Sequence, residues 1–111
     1  MTNNATDAIR KLNDLLRTTF MFGHVHMTCG VAALDDEARA AILTKVREFD
    51  AFDRGNDPYG EHDFGSFEHA AERYFWKIAY YAKDDFTAGS ENPADPRATS
   101  RVLTIMRADE Y

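Results

Sequence analysis

The 111-residue chain has one cysteine, no run of basic residues and no long apolar stretch. Each shortage removes a class of protein. Cys29 alone cannot close an intramolecular disulfide, so the chain is no disulfide scaffold, and its thiol count fits a reducing compartment. The apolar stretches fall far below the ~18 residues of a membrane span, and no membrane partner is expected. Residues 1–5 hold neither a basic n-region nor an apolar h-region, so no secretory signal is expected there and a cytoplasmic location follows. Thirteen Lys and Arg lie scattered, with Arg10-Lys11 as the one adjacent pair, against nineteen Asp and Glu, for a net charge of −6. Affinity for nucleic acid comes largely from clustered cations, so direct nucleic-acid binding is disfavoured. Cys-x-x-Cys, His-Glu-x-x-His and glycine-rich phosphate loops are all missing, and no cofactor is expected.

What remains is the balance of a globular protein, with 44% apolar residues in a length typical of one domain. A single domain over residues 1–111 is expected, with residues 1–5 flexible. Ile9, Leu12, Leu16 and Phe20, widened by Leu15, predict a helix over 6–19 with Thr6 as N-cap. Arg10, Lys11, Asp14 and Arg17 would form its solvated side. Residues 23–30 read as a strand with Val25, Met27 and Cys29 on one face and His24, His26 and Thr28 on the other. A second helix over 35–49 carries Ala38, Ile42, Val46 and Phe49, with Asp35 as its cap.

Residues 50–60 have the turn chemistry of a loop. Residues 63–69 and 73–81 read as a hairpin, with the Trp76 and Ile78 side the more buried. Residues 84–94 read as a loop. Asp95-Pro96 then resembles a helix start, and Thr99, Val102, Leu103 and Met106 fit a helical stripe to about 107. The expected fold is α+β in the order α-β-α-β-β-α: a small three-stranded antiparallel sheet with three helices mainly on one face. The other face would present tyrosines and histidines to a partner or a second copy, leaving a homo-oligomer open.

The densest polar segment runs from Asn56 through Asp57, Pro58, Tyr59, Gly60, Glu61 and His62 to Asp63. His62 is the candidate general base, with Asp57 as its orienter and Glu61 or Tyr59 assisting. Adjacent residues on a strand point to opposite faces, so a bend is needed to bring them together. The plainer alternative is a turn built by Asn56 and Asp57, with Gly60 and Gly65 supplying backbone freedom. As a binding surface the candidates are Asn56, Asp57, Tyr59, Glu61, His62, Asp63, Lys77 and Tyr81. His24 and His26, two apart on a strand, are the candidates for a divalent metal, and a third ligand would have to come from His62, His69 or a carboxylate.

Ile9-Arg10-Lys11-Leu12-Asn13-Asp14, Asn56–Gly65, Phe75-Trp76-Lys77-Ile78 with Tyr80-Tyr81, and Arg101–Met106 together carry a family likeness. The chain resembles domain-of-unknown-function family 3768, small proteobacterial proteins often described as plasmid-related. The resemblance implies a compact intracellular domain and a mobile-element setting, and it transfers no catalytic residue. The resulting expectation is a small acidic interaction protein with a protein partner, an accessory or anti-defence factor. The alternative is a small hydrolase or nuclease-like enzyme using His62 with Asp57 and Glu61.

Overall fold

A computed structural model describes residues 4–111. The flexible segment expected at 1–5 lies outside the described residues for 1–3, while Asn4 and Ala5 open the first helix. Helix α1 spans Asn4–Thr19, so Thr6 sits inside its first turn rather than at the cap. Strand β1 is His24–Met27, the one-turn helix α2 is Cys29–Ala32, and helix α3 is Asp36–Arg47. Strands β2 (Phe64–His69), β3 (Glu72–Ala82), β4 (Asp85–Gly89) and β5 (Thr99–Arg107) follow, and a 3-10 turn closes at Ala108–Glu110. Among the described residues, no helix is long and apolar enough to cross a membrane.

The sheet has five strands and is mixed, which corrects the expected three-stranded antiparallel sheet. Its order is β1-β5-β3-β2, and β4 also pairs with β3. β5 runs antiparallel along one edge of β3 from Tyr74 to Ala82. On the other edge, β2 pairs with Glu72–Lys77 and β4 with Tyr81 and Ala82. β1 lies parallel to β5, with His24 opposite Val102 and Met27 opposite Ile105.

Two misread segments explain the correction. Residues 99–107 form the strand between β1 and β3, not a helix. Thr99, Arg101, Leu103 and Ile105 are buried in strict alternation on the helix-facing side, and Ser100 and Met106 on the other. Val102 and Met106 put apolar side chains on the other face as well, so the apolar residues of the segment also fit helical spacing. All five residues of β4 are exposed, so its sequence carries no apolar pattern to set it apart from a loop.

The core fills the space between α1, α3 and one sheet face. Leu16, Val31, Ile42 and Val46 pack on Tyr74, Trp76, Ile78, Leu103 and Ile105. The Trp76 and Ile78 side of β3 is thus the buried one, as the alternation predicts. Gly65 lies opposite Trp76, and a Cβ there would collide with the indole. Its role is close approach, whereas Gly60, at φ +71°, supplies the left-handed turn. Asp35 caps α3 as expected, its Oδ1 accepting from the Ala38 N–H at 2.8 Å.

The buried stripe of α1 is rotated from the apolar one. Ile9, Asn13, Leu16 and Arg17 are buried, while Leu12 is half-buried and Leu15 is 39% exposed. Arg17, expected in solvent, instead donates to the carbonyls of Val46, Arg47 and Phe49 at the end of α3. A guanidinium there satisfies carbonyls left open by the helix and complements its dipole.

Candidate functional site

The 50–63 loop is built by its own side chains. Asp53 Oδ1 accepts from the Gly55 and Asn56 N–H groups at 2.8 and 3.0 Å. Asn56 returns the turn by accepting from Asp53 N–H and donating to the Ala51 carbonyl. Asp57 then folds back, and its Oδ1 accepts from the His62 N–H at 3.0 Å. His62 adopts φ +55°, the bend that strand geometry alone would not supply.

The bend brings His62 and Asp57 together, but a third group completes the arrangement. His62 Nδ1 lies 2.8 Å from Asp14 Oδ1, and Nε2 lies 3.6 Å from Asp57 Oδ2. One imidazole face stacks on Phe52 at 3.7 Å between centroids and 4° between planes. Phe52 in turn meets Trp76 and lies under the Arg17 guanidinium. Asp14 also pairs with Arg17 at 3.3 Å. Burial lowers the Arg17 pKa, and the Asp14 carboxylate opposes that shift. His62 therefore links α1, the loop and the core through both ring nitrogens and a ring face.

Glu61 goes elsewhere. Its Oε1 accepts from Tyr80 Oη at 2.8 Å, and its carbonyl accepts from Asn13 Nδ2 at 3.0 Å. The Asn13 amide also donates to Tyr80 Oη and accepts from Arg101 Nε. Burial first, and then the hydrogen bond to Glu61, push the Tyr80 phenol well above its ordinary pKa. Arg101 is buried at 4% exposure, stacks over the Tyr80 ring and donates to the Pro93 carbonyl. Burial lowers its pKa as well.

The remaining candidates disperse. Tyr59 is 79% exposed. The Asp63 carbonyl accepts from Ile78 N–H at 2.8 Å. Burial, reinforced by the Glu61 charge, raises the pKa of the Asp63 carboxyl. Lys77 and Tyr81 lie on the sheet face away from the helices, with Lys77 Nζ 5.4 Å from the Tyr111 ring centroid. The register puts His24 and His26 on that face too, opposite Val102 and Thr104. Among the described residues, no group of three or more His, Cys, Asp or Glu side chains stands close enough to hold a metal ion.

Sequence reasoning missed Asn13, Asp14, Arg17, Phe52, Tyr80 and Arg101 as partners of the segment. The sequence places Arg17 among the solvated residues, and Asn13 and Tyr80 stand out only within the segments that carry the family likeness. A cavity of about 520 Å³ lies away from His62, between α1, the start of β1 and the start of β5.

The fold and this site define a small α+β protein in which a polar loop is clasped to a helix and one sheet face lies free of the helices. Residues 27–110 match the family model described as Protein of unknown function (DUF3768), and the chain belongs to that family. No curated protein and no solved structure matches it.

Proposed function

We propose that the protein is a non-enzymatic interaction module that binds another protein through the open sheet face. The observation that carries this reading is the make-up of that face. His24, His26, Lys77 and Tyr81 share it by register, with Phe86 resting against His24 and Tyr81 at one end, while Arg73 on the same face pairs with Glu68 at 2.7 Å. The core cluster lies on the opposite face, and on this one the Tyr111 ring rests against Phe64, Phe75 and Lys77. Cations and aromatic rings at the middle of an acidic chain fit a protein surface that presents carboxylates among apolar groups. A role as a mobile-element accessory or anti-defence factor belongs to the same reading.

The test is capture from the native host with wild type, Lys77→Glu and Tyr81→Ala, each checked for intact secondary structure. One protein held by wild type and released by both variants supports the reading. Capture indifferent to both, or none at all, overturns it. A dimer of this chain broken by the same variants would assign the face to a second copy instead. A captured protein unconnected with host defence or plasmid maintenance removes the mobile-element part.

A His62-centred hydrolase is the second reading, favoured by the two carboxylates that bracket one imidazole. Against it, both ring nitrogens face carboxylates and one ring face is stacked, so neither nitrogen is directed at open space. Hydrolysis of simple esters or phosphodiesters by wild type, lost in His62→Gln with the fold intact, would establish it.

A further inference from the structure

The cavity of about 520 Å³ has the size of a small-molecule site and an unusual lining for this chain. The protein carries nineteen acidic residues, yet no Asp or Glu lines the cavity. Its wall is apolar on the α1 side, from Leu12, Leu15 and Phe22. These residues are not used by the core. The buried stripe of α1 runs through Asn13 and Arg17, which leaves Leu12 half-buried, Leu15 39% exposed and Phe22 71% exposed.

The opposite wall is cationic, from Lys83 and Arg101. Among the described residues, neither makes an ion pair with a carboxylate within 4.0 Å. Arg101 is fixed by Asn13 on one side and Pro93 on the other. Its Nη1 makes no hydrogen bond among the described residues and is not sealed from solvent. The hydrogen-bond partners of Arg101 are neutral, and the Glu61 charge acts on it only through space. A buried guanidinium so placed can take an anion, because charge-assisted hydrogen bonds strengthen where water is scarce.

We propose that the cavity between α1, β1 and β5 binds a small amphipathic anion, its carboxylate or phosphate on Arg101 and Lys83 and its apolar body against Leu12, Leu15 and Phe22. The cavity borders the open sheet face at His24 and Ser100, but neither Lys77 nor Tyr81, the residues varied to test that face, lines it.

Titration of the full chain with octanoate, octyl phosphate, octanol and octylamine, followed by amide chemical shifts, tests it. Saturable shifts at Gly23, Thr99 and Ser100 with either anion, and much weaker ones with octanol and octylamine, are expected. Saturation by octanoate alone assigns a carboxylate, and by octyl phosphate alone a phosphate monoester. Lys83→Gln should weaken binding roughly fivefold. Leu15→Glu, at a partly exposed position and checked for an unchanged amide spectrum elsewhere in the chain, should abolish it. No saturable shift with either anion overturns the proposal, as does equal binding of octylamine or binding unchanged in Leu15→Glu.

Discussion

The Asp57 side chain is only 6% exposed, and its two oxygens face the His62 N–H and the His62 ring. Removing the imidazole also strips Asp14 of its closest partner and Phe52 of its stack. His62→Ala is expected to cost about 1–3 kcal/mol, the penalty of leaving a buried polar group poorly satisfied. Urea denaturation measures it, and an unchanged midpoint would refute the clasp. Asp63 acts in the opposite sense. Its folded pKa is raised above 3.8, so the folded state holds its proton more tightly than the unfolded chain. It therefore subtracts stability at neutral pH, and the loss disappears as pH falls through the raised value towards 3.8. Asp63→Asn should raise the urea midpoint at neutral pH, with the gain fading in acid. At this scale the sequence singled out His62 and Asp57, because a loop dense in turn residues is visible locally. Asp14 and Phe52 were invisible as their partners, since each is brought to His62 by a different element.

The β2–β3 hairpin turns through Ala70 and Ala71, both at positive φ (51° and 65°). Two-residue turns of this shape favour Asn-Gly, and alanine in the left-handed region costs roughly 1–2 kcal/mol. The double change Ala70→Asn with Ala71→Gly should therefore stabilise the protein by about 1 kcal/mol, read as a higher thermal midpoint. A fall would mean that the loop is held by something other than its own backbone preference. The hairpin itself was legible because β3 is rich in aromatic residues of high strand propensity. Helix α3 was legible because Asp35 announces it and Ile42, Val46 and their neighbours keep its period. β5 was not legible, because Val102, Leu103 and Met106 satisfy both periods and an Asp-Pro pair precedes them. Pairing on both edges, with β1 and with β3, resolves that ambiguity.

Across the molecule, stability should be graded from the centre of the sheet outwards. Amides of β5 at Leu103–Ile105 and of β3 at Trp76–Ile78 lie in the buried core and should exchange slowest, at the rate set by global unfolding. Those of β4, whose residues are all exposed, should exchange far faster. Uniform exchange across the sheet would contradict this gradient. By itself the sequence determined α1, α3, the central hairpin and the turn that presents His62, because caps, short periods and turn residues act over a few positions. It also carried the family likeness. Tertiary structure alone decided the parallel pairing of β1 with β5, residues 78 positions apart with no local code for meeting. It also decided the burial of Arg17 and Arg101. A guanidinium enters the interior only where carbonyls and amides from other elements wait for it, and those partners exist only in the folded chain.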